Sequence, residues 1–104
     1  MAANDSKNDI IARPLWRLLD SRDWPKTICP SEVARALSSS DLTRLDAGTW
    51  RDAMDDVRRL VWDLKEKGDV EVLQKGEVLG DEVGLEDIHG PIRVRAKKKE
   101  VKQD

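Results

Sequence analysis

The chain has 104 residues, the size of one domain with a single hydrophobic core. Charged and hydrophobic residues each make up 38% of it, which favours a folded protein with a heavily charged surface over a disordered chain. The formal net charge of −2 argues against tight non-specific binding of nucleic acid. One Cys excludes an intramolecular disulfide, and one Cys with one His cannot supply four zinc ligands.

The first predicted helix begins near Asp9, where apolar residues start to recur every three to four positions, and it ends near Ser21. Pro14 lies inside this pattern. Because proline removes a backbone donor and crowds the preceding turn, the helix either begins shortly before Pro14 or is longer and kinks there. We favour the longer helix. The polar residues 1–7 are expected to form a disordered N-terminus.

A second helix is predicted to begin at Pro30, a residue that suits the first helical position. Cys29 is then the N-cap, and residues 27 and 28 before it are extended. Glu32 takes the third helical position, from which its carboxylate can reach back to the N–H of Cys29. The predicted buried face of this helix is formed by Val33, Ala36 and Leu37. A polar connector follows, with one helical turn over residues 41–45.

The third predicted helix begins with a capping box of Thr49 and Asp52 and ends at Gly68. Apolar residues recur along it at helical spacing for about four turns. These residues predict a buried seam formed by Trp50, Met54, Val57, Leu60 or Val61, and Leu64. We expect the seam to pack on Ile11, Leu15, Leu18, Val33 and Leu37.

Two strands are predicted after this helix, because Val70 and Val72 alternate with acidic residues, and Ile92 and Val94 alternate with arginines. Together they indicate a β-hairpin. Its connection over residues 75–90 is long enough to move as a flap and to contain local turns. Residues 96–104 are polar and rich in Lys, and are expected to form a disordered tail.

The predicted fold is therefore mainly α with a small β-hairpin, in the order of a winged helix-turn-helix with three helices and a β wing. Three stretches of sequence support this interpretation: TICPSEVARAL at residues 27–37, QKG at residues 74–76 and GPIR at residues 90–93. Over residues 8–95 they resemble an uncharacterised family, a domain of unknown function with a winged-helix-like fold. The motif positions that carry the resemblance and its turns are Cys29, Pro30, Glu32, Gly76, Gly90 and Pro91.

The resemblance implies a fold but no activity, since the family has none assigned. In a DNA-binding winged helix the third helix enters the major groove and the wing touches the backbone. Here the third helix carries equal numbers of basic and acidic residues, and the segment of residues 75–95 carries more acidic than basic ones. The stretch of residues 77–89 is also longer than the family's wing. The candidate nucleic-acid contacts are Arg51, Arg58, Lys75, Arg93 and Arg95.

The sequence allows two roles for Arg58 and Arg93. Arg58 or Arg93 could pair with Glu32 as an internal staple, which we favour, or could contact a ligand. Weak, salt-sensitive DNA binding is expected mainly from Lys97, Lys98 and Lys99 in the tail.

Catalysis is not expected. Cys29 could be a nucleophile with His89 as its base, but no third residue is suggested to orient them, and a small apolar role for Cys29 is preferred. No metal or cofactor site is predicted, and no apolar run approaches the roughly 20 residues needed to cross a membrane. We expect a soluble cytoplasmic or nuclear binding module. A protein partner is slightly favoured by the acidic pI, and a nucleic acid is the alternative that the fold suggests.

Overall fold

The computed structural model describes residues 3–22, 26–80 and 82–97, with side chains from residue 7 onward. Within these residues, helices come first and an antiparallel sheet follows, so the chain is a mixed α and β domain. The elements are α1 (Ala3–Asp20), α2 (Pro30–Arg35), α3 (Ser39–Arg44), α4 (Met54–Lys67), β1 (Val70–Gln74), β2 (Glu77–Val78) and β3 (Arg93–Ala96). A short 3-10 helix, Leu85–Asp87, lies between β2 and β3.

The first helix is the longer of the two predicted alternatives. α1 passes through Pro14, whose side chain is buried. Residues 3–7 of the predicted disordered N-terminus lie in this helix, and residues 1 and 2 lie outside the described residues. At the other end of the chain β3 includes Ala96, and the N–H of Lys97 donates to the carbonyl of Asp69 at 3.1 Å. The rest of the predicted tail, residues 98–104, lies outside the described residues.

The helical turn predicted after α2 at residues 41–45 is present, but it is longer and begins earlier than expected, because residues 39–44 form a separate helix, α3. Ser38 caps it: its hydroxyl accepts from the N–H of Asp41 at 3.0 Å, and the Asp41 carboxylate accepts from the N–H of Ser38 at 3.1 Å. The sequence pattern Ser-x-x-Asp is itself a capping box.

The third predicted helix corresponds to α4. Its predicted capping contacts between Thr49 and Asp52 are present, but regular helix begins later than expected. The Asp52 carboxylate accepts from the N–H of Thr49 at 3.1 Å, while residues 49–53 form tighter turns and α4 begins at Met54. Those turns are closed by bonds to the third preceding carbonyl, such as the 3.1 Å bond from the Ala53 N–H to Trp50. At the other end Gly68 adopts the predicted left-handed conformation, with φ of 83°.

The predicted core is confirmed in its main members. α4 packs against α1, α2 and β1. The buried residues from the predicted seam and its partners are Ile11, Leu15, Val33, Leu37, Val57, Leu60, Val61 and Leu64. Trp50, Met54 and Leu18 are only half-buried, and Ala36 is exposed, so their predicted burial was wrong. Their places in the core are taken by Trp62 and by the strand residues Val70, Val72 and Val94.

The sheet has three strands in the order β2-β1-β3, one more than the predicted hairpin. β1 pairs first with β2 through a two-residue turn of Lys75 and Gly76, whose φ angles are 55° and 84°. Two consecutive positive φ values are typical of a tight hairpin turn that matches the twist of the strands. β3 then pairs on the other side of β1. The extended segment before α2 was predicted correctly, since Ile28 forms a β-bridge with Val94.

The connection predicted over residues 75–90 contains local turns as expected, among them the 3-10 helix, but its part after β2 is packed rather than free to move as a flap. Residues 79–80 and 82–89, called the acidic loop below, fold back against α4. The indole N–H of Trp62 donates to the carbonyl of Val83 at 3.2 Å, and Lys65 Nζ donates to the carbonyl of Gly80 at 2.8 Å. Lys65 is only 8% exposed and also lies over the Trp62 ring. The acidic loop is therefore part of the packed domain.

Candidate functional site

A cleft of about 430 Å³ lies at the beginning of α2. Three separate parts of the chain meet there, because α1 ends beside it and the Ile28–Val94 bridge brings β3 next to the segment that precedes α2. Its lining residues are Arg22, Lys26, Thr27, Glu32 and Arg93. Of these five described residues, three carry a positive charge and one a negative charge, so the described lining is basic on balance.

Glu32 caps its own helix, as predicted, but its ion-pair partner was predicted wrongly. Its Oε2 accepts from the N–H of Cys29 at 2.8 Å, and its Oε1 accepts from Arg22 Nη2 at 2.8 Å. Neither Arg58 nor Arg93 forms this ion pair in the described part of the chain. Arg22 follows directly on the end of α1, and α1 packs against α2. Nothing in the local sequence indicates that packing.

These contacts control the protonation of Glu32. Burial raises the pKa of the Glu32 carboxyl, but the Cys29 N–H, the hydrogen bond and charge of Arg22, and the charge of Arg93 together lower it below its ordinary value of 4.5. A carboxyl whose pKa is lower in the folded than in the unfolded chain stabilises the fold above its unfolded pKa. That stabilisation is lost as the pH falls through the folded pKa.

We therefore expect Glu32→Gln to lower the free energy of unfolding by an amount that depends on pH. The difference in unfolding free energy between the wild type and the variant should be present at pH 7 and should decrease as the pH falls below 4.5 and through the lower pKa of the folded state. Urea denaturation at a series of pH values measures it. Glu66→Gln, a change of an exposed carboxylate on α4, is the matched control and should show little difference at any pH. A constant difference for Glu32→Gln from pH 7 to pH 3 would contradict the assignment.

Arg93 is held in a fixed orientation at the cleft. Its Nε donates to Thr27 Oγ1 at 2.9 Å, its Nη1 to Cys29 Sγ at 2.8 Å and its Nη2 to the Thr27 carbonyl at 3.4 Å. On the other wall Arg22 Nη1 is buried and has no acceptor. A buried donor without an acceptor costs about 1–3 kcal/mol relative to a paired one. The cleft thus contains one oriented guanidinium and one whose hydrogen-bonding capacity is not satisfied.

A second basic feature lies toward the other end of α2. The guanidinium carbons of Arg35 and Arg51 lie 4.9 and 4.7 Å from the centre of the Trp50 ring. Both arginines are exposed and Trp50 is half-buried, so the three side chains form a surface stack. Arg35 follows Glu32 by one helical turn, which places the stack and the cleft along the same side of α2. We call these two features together the α2 surface.

The predicted nucleic-acid contacts are distributed over several places. Arg51 lies in the stack and Arg93 in the cleft, so the structure brings both to the α2 surface. Arg95 pairs with Glu71 across the strands at 2.7 Å. Arg58 is exposed on α4, and Lys75 is exposed in the turn between β1 and β2.

The motif positions predicted from the resemblance act mainly in backbone geometry. Gly76 and Gly90 have positive φ values of 84° and 95°, which glycine adopts without strain. Pro91 follows Gly90 and leads into β3, and Pro30 is the first residue of α2. Cys29 precedes α2 and contacts Arg93, whereas the carbonyl of His89 accepts from Gln74 Nε2 at 2.8 Å. The described hydrogen bonds do not bring Cys29 and His89 together.

Sequence reasoning missed Arg22, Lys26 and Arg35 as members of the site. The weak signal available was the adjacent pair Trp50 and Arg51, since Trp and Arg are both enriched at the energetic centres of protein interfaces. Within the described residues no group of His, Cys, Asp and Glu side chains could hold a metal ion. None of the described helices is long and apolar enough to cross a membrane.

A family model described as a protein of unknown function, DUF3253, matches residues 8–97. The chain belongs to this family. This confirms the resemblance to an uncharacterised family that residues 8–95 suggested. All residues of the α2 surface, from Arg22 to Arg93, lie within the part matched to DUF3253. No curated protein matches the chain.

Proposed function

We propose that the chain is a non-catalytic, winged-helix-like interaction module of the cytoplasm or nucleus, and that it binds an acidic segment of a partner protein across the α2 surface. The observation that carries this proposal is the exposed stack of Arg35, Trp50 and Arg51 beside a basic cleft. Trp and Arg are the residues most enriched at the energetic centres of protein interfaces.

The charge of the α2 surface supports an acidic partner. It combines five basic side chains with Glu32, whose own charge is paired with Arg22. Complementary charges on the two partners favour association and fix which segment binds. A segment rich in Asp and Glu would place carboxylates against both ends of α2, and an apolar side chain between them could contact Trp50.

The winged-helix assignment is supported by the order of the elements. α1 is followed by the Ile28 bridge, by α2, by the short additional helix α3, by α4, and then by the antiparallel strands. In that arrangement α4 corresponds to the helix that enters the DNA major groove in DNA-binding members of the fold. A fold alone does not determine function, so the choice between partners depends on the surfaces.

A nucleic-acid partner is the second candidate, and one observation favours it: Arg58 and Lys75 are exposed on α4 and at the hairpin turn. Two other observations count against it. Arg95 is already paired with Glu71, and the acidic loop, which bears Glu82, Glu86 and Asp87, packs against α4. Carboxylates beside the groove-reading helix would repel phosphates.

Binding of two labelled probes by the full chain distinguishes the candidates. The first probe is a fluorescein-labelled 12-residue peptide of Glu, Asp and one central Leu, and the second is a labelled 16-base-pair duplex. We expect Arg35→Glu and Arg51→Glu each to weaken peptide binding at least tenfold by fluorescence anisotropy at physiological salt. Arg58→Glu is the matched control, because it makes the same charge reversal on an exposed α4 position outside the α2 surface.

Two results would overturn the proposal. One is peptide binding that Arg58→Glu reduces as much as Arg51→Glu does. The other is tight binding of the duplex at physiological salt that depends on Arg58 and Lys75, which would establish the nucleic-acid alternative.

A further inference from the structure

We propose that the cleft at the start of α2 binds a phosphoryl group, carried on a serine or threonine of the acidic partner segment. This inference rests on the proposed function and names the chemical group that the cleft selects. Phosphorylation of the partner would then strengthen its docking on the α2 surface.

The charge of the cleft matches a phosphate monoester. Its walls carry Arg22, Lys26 and Arg93, and one of these positive charges is balanced by Glu32. Among the described lining residues, two positive charges remain. A phosphorylated side chain carries about −1.5 to −2 at pH 7, whereas a single carboxylate carries −1. The phosphoryl group is therefore the ligand that neutralises the cleft most completely.

The orientation of the arginines also suits a phosphoryl group. Arg93 is held by Thr27 and Cys29, so its guanidinium group is oriented before any ligand arrives, and Arg22 is held on one side by Glu32. A guanidinium has five N–H bonds, and three of those of Arg93 already donate to Thr27 and Cys29, so one on Nη1 and one on Nη2 remain to donate to phosphate oxygens. Lys26 is exposed beside them and adds a point charge. Groups already held in place lose little conformational freedom on binding.

Arg22 Nη1 provides a further, independent observation. This nitrogen is buried and has no acceptor, and Arg22 itself is one of the residues that line the cleft. A small local shift of Arg22 toward an oxyanion would satisfy that donor while its Nη2 keeps the bond to Glu32. The cleft is shallow and open to solvent, so a phosphoryl group and the side chain that carries it can approach it from outside.

Calorimetric titration of the full chain with three nine-residue peptides tests the inference. They share one sequence of Gly and Glu and differ at the central position, which is phosphoserine, serine or glutamate. At pH 7.5 we expect the phosphoserine peptide to bind at least tenfold more tightly than either of the others. This advantage should shrink as the pH falls below about 6, where the phosphate loses its second charge.

Two variants test whether the tighter binding of the phosphoserine peptide arises in the cleft. Lys26→Gln and Arg93→Lys should each remove most of the phosphoserine advantage, the first by deleting a charge and the second by deleting the fork while keeping the charge. Lys67→Gln, at the exposed end of α4, is the control, and this variant should still bind the phosphoserine peptide more tightly than the other two peptides. Lys26 is exposed, so its replacement leaves the fold intact, and circular dichroism checks this for Arg93→Lys.

The inference is overturned if the phosphoserine and glutamate peptides bind equally, or if the phosphoserine advantage persists in Lys26→Gln and Arg93→Lys. It is also overturned if duplex DNA displaces the phosphoserine peptide at equal phosphate concentration, since the phosphate source would then be a nucleic acid. Failure here is distinguishable from failure of the proposed function. If only the phosphoryl inference fails, the serine peptide still binds, and its binding still depends on Arg35 and Arg51.

Discussion

Replacing Trp62 with Ala should lower the free energy of unfolding by about 3–5 kcal/mol. Trp62 is 5% exposed and lies between the core of the domain and the acidic loop. Its indole N–H holds the carbonyl of Val83, and its ring lies under the Lys65 ammonium group, whose nitrogen is 5.7 Å from the ring centre. The substitution therefore removes a large buried side chain and one of the two polar contacts that attach the acidic loop to α4.

Urea denaturation followed by circular dichroism measures this loss. Trp16→Ala is the matched control, because Trp16 is half-buried on α1 and should cost clearly less. Amide hydrogen exchange adds a local measurement: amides of the acidic loop, including Val83 and Asp87, should lose protection in Trp62→Ala. A loss of stability no larger than that of Trp16→Ala would show that the acidic loop is not anchored as the structure indicates.

Leu64→Ala should lower the free energy of unfolding by about 2–5 kcal/mol. Leu64 is 8% exposed and lies on the face of α4 that packs in the core. Removing most of its side chain loses buried apolar area and leaves a cavity that neighbouring side chains fill only in part. Leu18→Ala makes the same chemical change at a half-buried position of α1 and is the control. Equal destabilisation by the two substitutions would contradict the packing described for α4.

α1, α2 and α4 could be predicted from the sequence because their signals are local. Apolar spacing and a terminal glycine identify α4, and Pro30 with Glu32 identifies the start of α2. The predicted burial of Val57 and Leu64 followed from the same spacing. The half-buried state of Trp50 could not be predicted from that spacing. A position on the apolar stripe does not show whether two arginines will cover the ring.

The parts of the structure that escaped prediction depend on contacts between distant residues. β2 has only two residues, too few for an alternating pattern, and its turn requires a positive φ at Lys75, which is unusual outside glycine. The fold-back of the acidic loop depends on Trp62 and Lys65, whose partners are backbone carbonyls. Backbone acceptors leave no side-chain signature in the sequence.

The candidate site shows the same limitation. Arg93 and Glu32 were singled out from the sequence, and both line the cleft. Arg22 was assigned only to a turn, although it is the residue that pairs with Glu32. The contact between the end of α1 and the start of α2 determines this pairing, and no periodicity within either helix encodes it. Candidate residues could thus be predicted, whereas the surface that they share could not.

The location of the binding surface is the central claim, and chemical-shift mapping tests it most directly. The ¹⁵N-labelled full chain is titrated with the acidic 12-residue peptide at physiological salt. We predict that the largest shifts occur at the amides of Thr27, Arg35 and Arg51 and at the indole N–H of Trp50, assigned with Trp50→Phe. Largest shifts at Arg58, Lys75 and their neighbours, with the α2 surface unchanged, would contradict the account.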